Sequence, residues 1–186
     1  MMRFFEVVVS LLGLIVVVLP IFLIISPVYL FFGVRPIFKS QRVGKLGILF
    51  TLYKFRSMHT ATPLVATTAL IEPKGYLLPF GGFLRRFSID ELPQLWNVLK
   101  GDLSLVGPRP SLPTEESLIR QRVKHGIDSL RPGITGYAQV NGRDRISLDE
   151  KIDFDLYFLE NECLALYIKI LFKTLRICLV GSNVTH

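Results

Sequence analysis

The sequence predicts a small α+β protein held at a membrane, and three observations carry that prediction. The stretch from Phe4 to Val34 is almost wholly apolar. Residues Gly47 to Arg56 are rich in aromatic and β-branched side chains, the composition of a short strand. Further on, apolar residues recur at helical spacing in several separate segments. Half of the 186 residues are hydrophobic and the mean hydropathy is +0.44, high for a soluble domain. The length suffices for one domain with a real core.

The net charge of +7 and pI near 9.6 point to anionic partners: phosphates, a nucleotide or acidic lipid headgroups. The basic residues are dispersed, and no zinc-finger, RNP or basic-helix signature is present, which argues against nucleic acid. Cys163 and Cys178 both fall in an apolar helical stretch. They are expected to be buried thiols rather than a disulfide, which fits a reducing compartment.

Taken in order, the N-terminal apolar run is too long for a signal peptide, and no small-x-small cleavage site closes it. About 26 residues from Val7 to Phe32 would reach about 39 Å as a helix, against a hydrocarbon core of about 30 Å. Pro20 and the Ser26-Pro27 pair interrupt it. Pro27 removes a hydrogen bond and clashes with the carbonyl of Leu23, which predicts a sharp bend. Ser26 can return a bond to a carbonyl of the preceding turn. A helix broken in this way can turn back to the face it entered, although many spanning helices also contain Pro. Arg3 precedes the segment, and Arg35, Lys39, Arg42 and Lys45 follow it. These charges put the C-terminal side in the cytoplasm and do not oppose the same placement for the N-terminus. The residues alone leave both topologies open.

Ile37 to Met58 reads as two short strands, with Gly44 and Gly47 marking the turn. Lys54 and Arg56 share one face of the second strand, either a solvated face or a functional one. His59 reads as structural. Thr60 to Gly82 looks like a connecting loop. Pro113 to Lys124 reads as a helix with acids early and bases late, matching its dipole. In Arg131 to Arg143, Gly133, Gly136 and Gly142 interrupt any regular element and predict a shaped loop. With Arg131, Arg143 and Arg145 it is either a set of structural turns or a polar loop that closes over a nucleotide. Ser147 to Val180 is helical, and Ser147 with Glu150 forms a capping box. Lys169, Lys173 and Arg176 make one basic stripe on an otherwise apolar helix. That pattern suits a helix lying in a membrane interface, or a core helix with one wet face.

The segment with the densest chemistry is Arg85 to Pro110, RRFSIDELPQLWNVLKGDLSLVGPRP. Leu92, Leu95, Trp96 and Leu99 fall at i, i+3, i+4 and i+7 and predict one buried helix face. Pro93 belongs in the first turn, while Lys100 and Gly101 close the helix. Asp90 and Glu91 are thereby placed at the helix N-terminus, where free amides gather and anions bind. Amides and arginines there are expected to lower the Asp90 pKa. Arg85 and Arg86 precede the acids, and Arg109 follows in a rigid Gly-Pro-Arg-Pro turn. The plain reading is an S-x-x-E capping box at Ser88 and Glu91. Capping alone, however, calls for neither the arginine pair before the helix nor two prolines flanking Arg109.

Three segments resemble the bacterial sugar transferase family, the monotopic phosphoglycosyl transferases. They are SIDELPQLWNVLKGDLSLVGPRP from Ser88, YKFRSM from Tyr53 to Met58, and RPGITGYAQVNGR from Arg131 to Arg143, in the family's order. The resemblance covers most of the chain from about Arg35 onward. It implies a re-entrant helix hairpin at residues 1–36, broken at Ser26-Pro27. A cytoplasmic catalytic domain at 37–181 and a tail at 182–186 follow. The implied reaction transfers a sugar-1-phosphate from a UDP-sugar to polyprenol phosphate at the cytoplasmic face of the bacterial inner membrane, releasing UMP. It further implies Asp90 as nucleophile and Glu91 as its assistant, both at a Mg²⁺ site, and a functional lysine at Lys54. Arg85, Arg109, Arg131 and Arg143 would be phosphate and nucleotide contacts. The membrane lipid is a partner, and a homodimer is left open. Two departures stand out: Tyr76-Leu77-Leu78 replaces an Arg-x-Thr pattern, and Tyr167 stands where the family usually has an acid.

Two other classes compete. A nucleotide-sugar glycosyl transferase that moves the sugar without its phosphate needs an Asp-x-Asp metal site. Asp153-Phe154-Asp155 has that spacing but falls in a helical stretch. A non-enzymatic module would only bind anionic lipid or a partner protein. Release of UMP, rather than UDP or nothing, separates all three.

Overall fold

The structure, a computed structural model, describes residues 2–63, 73–142 and 146–180. It mixes helix and strand, as expected. The apolar N-terminal run is a single helical stretch from Met2 to Phe31. It comprises α1 (Met2–Gly13), a π-helical segment (Leu14–Val18) and α2 (Leu19–Phe31). Pro27, where the sequence predicts a bend, lies inside α2. Ser26 Oγ donates to the Phe22 carbonyl at 2.6 Å, the return bond expected of it. The local departure from α geometry falls earlier, in the π-helical turns just before Pro20.

β1 (Ile37–Val43) and β2 (Leu49–Phe55) form an antiparallel hairpin in which Phe38 faces Lys54 and Ser40 faces Leu52. Its tip is a 3₁₀ turn at Lys45–Gly47, and Leu46 takes φ 53° there. After α3 (Gly81–Arg86), a 3₁₀ turn (Ile89–Glu91) leads into α4 (Gln94–Lys100). Gly101 closes α4 at φ 92°, the left-handed stop read from the sequence. Then come β3 (Ser104–Val106) and α5 (Glu116–Lys124). β4 (Gly133–Thr135), α6 (Tyr137–Asn141), α7 (Leu148–Glu160) and α8 (Leu164–Val180) complete the order.

Four expectations change here. The RPGITG segment is not irregular: β4 pairs in parallel with β3, Ser104 beside Gly133 and Val106 beside Thr135. Its glycines permit close approach of two backbones. A Cβ on Gly133 would sit 2.1 Å from the Gly107 nitrogen, and one on Gly136 would sit 2.1 Å from the Gly107 oxygen. The single long C-terminal helix is two, parted around Asn161, though the Ser147–Glu150 capping box is present as expected. Cys163 is exposed and Cys178 half-buried, both as free thiols.

The fourth change concerns α4. Its buried residues are Gln94, Asn97 and Val98, while Trp96 is 51% exposed. Asn97 turns inward because it completes the edge of β2: its Oδ1 accepts from the Tyr53 amide at 3.1 Å, and its Nδ2 donates to the Thr51 carbonyl at 2.7 Å. The apolar side of α4 still buries part of itself, against the N-terminal helix. Leu92 and Leu95 pack with Val18, Phe55 and Leu84, alongside Ile21, Phe22 and Ile25. The main core lies between the hairpin, β3 and the last two helices, with Leu52, Val98, Leu103, Phe158 and Ile170 at its centre.

Both ends of the N-terminal helix are fastened to this body. Arg3 donates to the Val98 carbonyl at the end of α4 at 2.5 Å. Glu6, 3% exposed, accepts from Ser104 Oγ, from the Leu105 amide at 3.1 Å and from Tyr167 Oη at 2.6 Å. At the other end Tyr29 donates to the Arg56 carbonyl and sets its ring edge-on to Phe80. Tyr167 is thus a core residue holding Glu6.

Candidate active site

The Asp90–Glu91 pair sits in the 3₁₀ turn ahead of α4, one turn earlier than the sequence suggested. The capping box is absent, because Ser88 stands in the left-handed region at φ 56° and its side chain makes no cap. A non-glycine residue in that region is held there by its surroundings, and such positions cluster at functional sites. The twist turns Asp90 inward, to 6% exposure.

Around the acids the hairpin and the two flanking segments bring cations together. Lys54, near the end of β2, sets its Nζ 2.5 Å from Glu91 Oε1. Arg109 reaches the same oxygen at 3.8 Å. Arg85, in the last turn of α3, acts on Asp90 through its charge. Burial pushes the Asp90 carboxyl up to about 6; Lys54 and Arg85 oppose that shift, while the Glu91 charge adds to it. The lowered pKa expected at a helix terminus is therefore reversed: desolvation outweighs the cations.

Not every sequence candidate joins this group. Arg56 turns away, donating to the Arg35 carbonyl at 3.0 Å and covering the Phe38 ring. Arg131 makes no ion pair with either acid among the described residues. Arg143 and Arg145 lie outside the described residues, as do residues 64–72 of the Thr60–Gly82 loop. Asp155 is no half of an Asp-x-Asp metal site: it is buried against Arg122, with Oδ2 2.6 Å from Nη2. Neither that ion pair nor a place near the acids for the half-buried Arg42 was read from the sequence. Arg42 lies close enough to Arg109 that burial and the neighbouring charge depress its own pKa. No local pattern couples Arg122 to Asp155, which are 33 positions apart.

The Gly-Pro-Arg-Pro turn is anchored from behind. The Gly107 amide donates to the Thr135 carbonyl at 2.8 Å, and the Gly133 amide to the Pro108 carbonyl at 2.9 Å. The result is a buried and a half-buried acid side by side, faced by a lysine and two arginines from three separate elements. Such a site can hold a multiply charged phosphate and present a carboxylate to it.

The chain belongs to the bacterial sugar transferase family, whose model matches residues 1–181. It is 45% identical over 160 residues to the sugar transferase EpsL of Bacillus subtilis, covering 79% of this chain and 71% of that protein. To the undecaprenyl-phosphate galactose phosphotransferase of Salmonella typhimurium it is 35% identical over 192 residues, covering 95% of this chain and 40% of that protein. To the undecaprenyl-phosphate glucose phosphotransferase of Komagataeibacter xylinus it is 36% identical over 151 residues, covering 75% and 28%. The chain thus spans less than half the length of the last two.

Proposed function

We propose that this protein is a phosphoglycosyl transferase that moves a sugar-1-phosphate from a UDP-sugar to polyprenol phosphate. The products are a polyprenyl diphosphate sugar and UMP. The observation that carries the proposal is the Asp90–Glu91 pair, Asp90 buried, faced by Lys54, Arg85 and Arg109 beside a long apolar helix.

In the first half-reaction an Asp90 oxygen attacks the phosphorus bearing the sugar. The bond from that phosphorus to the bridging oxygen breaks, and UMP leaves with the electron pair. In the second, an oxygen of the lipid phosphate attacks the same phosphorus and the acyl phosphate bond breaks, restoring the carboxylate. Splitting the displacement in two is the gain from a covalent nucleophile. Arg85 and Arg109 hold the diphosphate and offset its developing charge, and Lys54 orients Glu91. Arg131 and Arg143 are assigned to the nucleotide.

Two adjacent hard-oxygen carboxylates fit Mg²⁺, which commonly binds one or two carboxylates together with substrate phosphates. Asp90 and Glu91 would hold it, and when bound it would supply charge neutralisation at the diphosphate. Glu91 serves either there or as the base that readies the lipid phosphate. Exhaustive chelation is expected to stop turnover; full activity in chelator would remove the metal from the reading.

We assign both ends of the N-terminal helix to the cytoplasmic face of the inner membrane, as in a re-entrant hairpin. The support is mechanical: Arg3 and Glu6 at one end, and Tyr29 at the other, bond to one folded body. A helix crossing a hydrocarbon core of about 30 Å would put its ends on opposite sides of it. Labelling of an N-terminal cysteine by an impermeant reagent from outside intact cells would restore the spanning helix.

The decisive experiment is a burst. Enzyme mixed with UDP-sugar and no lipid should release UMP in an amount limited by enzyme. It should then carry the mass of one sugar phosphate, labile to hydroxylamine. UDP as product would favour the glycosyl transferase class, and no nucleotide product would favour a binding module.

A further inference from the structure

Arg109 is the exposed member of the cation group, with half of its side chain accessible. An exposed arginine in a loop loses much conformational entropy on meeting a ligand, unless its backbone is already fixed. The turn carrying it has two prolines and therefore few amides with which to anchor itself. Its carbonyls do that work instead, and three in a row are taken. The Gly133 amide holds Pro108 at 2.9 Å, Arg122 Nη1 holds Arg109 at 2.7 Å, and Arg42 Nη1 reaches Pro110 at 3.5 Å.

The middle contact is built unlike the others. Arg122 projects from α5, and its remaining two donors, Nε at 3.0 Å and Nη2 at 2.6 Å, both go to Asp155 Oδ2 on α7. The two side chains are 11% and 3% exposed. A buried ion pair is seldom justified by stability, since apolar replacements of similar volume are often neutral or better. This one leaves a guanidinium nitrogen aimed at the backbone of a residue facing the acids. Because the guanidinium is planar, fixing two of its nitrogens on Asp155 fixes the direction of the third.

We propose that the buried Arg122–Asp155 pair is a positioning unit for the Gly107–Pro110 turn, holding the Arg109 backbone so that its side chain meets the substrate diphosphate. Neither residue touches the acids. This rests on the reading of Arg109 as a phosphate contact.

The test uses full-length enzyme in which Arg122→Met and Asp155→Leu are combined, so that no charge is left buried alone. The pair of substitutions removes the donor to the Arg109 carbonyl while keeping the volume filled. The midpoint of thermal unfolding should move by no more than a few degrees. kcat/KM for UMP release should fall about 10- to 100-fold, the range for a misplaced positioning contact. Repeated in an Arg109→Lys background, the same pair should cost less than about 2-fold, because its effect runs through Arg109. A purely structural role would give equal losses in both backgrounds, and that result, or an undiminished kcat/KM in the first, overturns the inference. If the paired variant does not fold, Arg122→Lys, which keeps the charge but cannot span both partners, decides instead: it should show the same coupling to Arg109, and equal losses in both backgrounds overturn the inference. Wild-type enzyme that releases no UMP sinks the reading of the site instead.

Discussion

Glu6 and Asp90 are both taken out of water by the fold, at 3% and 6% exposure, and the protein treats them in opposite ways. Glu6 is saturated with donors: Ser104, the Leu105 amide, Tyr167 and Arg3 all point at it. Asp90 faces charges more than donors, and burial outweighs them, so its proton affinity rises. A carboxylate whose lone pairs are all engaged is a fastener. One desolvated beside cations that do not saturate it keeps a lone pair for chemistry. Burial alone therefore says nothing about role.

The largest effect that would break this contrast lies at Asp90. Asp90→Asn should reduce UMP release at least ~10³-fold, about 4 kcal/mol of barrier, while the protein stays folded. Near-normal turnover would make Asp90 a structural residue like Glu6. Glu6→Ala should do the reverse. It strands three donors in the core and should lower unfolding free energy by roughly 4 kcal/mol, with the burst per folded molecule unchanged.

A pH titration sharpens the comparison. Asp90 binds its proton more tightly folded than unfolded, with a pKa of about 6 against an ordinary 3.8. Below about pH 4 it is protonated in both states and carries no penalty. Through the window from about 4 to 6 the unfolded chain ionises first, so stability falls, and above 6 the full penalty remains. Without divalent cation, Asp90→Asn should thus gain on wild type by on the order of 3 kcal/mol between pH 4 and 7, as followed by denaturant unfolding. A flat difference would mean that donors, not burial, govern Asp90. The smallest effect is Tyr167→Phe, which removes one of Glu6's donors and should cost about 1 kcal/mol with no change in activity.

Much of the fold was legible because its signals are local. Gly101 ends α4, Ser147 and Glu150 cap α7, and aromatic and β-branched residues mark β2. The acids and three of their cations could be named because they sit in contiguous motifs. The orientation of α4 could not be read, since an apolar stripe signals burial only where water is the alternative. Here the N-terminal helix covers Leu92 and Leu95, polar Asn97 turns inward to serve β2, and Gln94 is buried as well. Glycines that looked like breaks in RPGITG instead admit Gly107 at distances no side chain would allow. The shift at Asp90 was missed because a helix-terminus argument counts charges and amides but not depth. Arg122 and Asp155 meet only once α5 and α7 pack.

The fastening at Glu6 has a consequence for how the protein is made. Its partners lie 98, 99 and 161 positions further along the chain. At roughly 5–20 residues per second, the ribosome needs on the order of 10–30 s after placing Glu6 before Tyr167 exists to receive it. Until Ser104 and Leu105 are made, the apolar helix carries a carboxylate with none of its distant donors, and only Arg3 lies near enough to answer the charge. Membrane insertion of the helix and closure of the clasp are consequently separate events in time. A chain arrested before Tyr167 should engage the bilayer while remaining open to proteolysis at its N-terminal end.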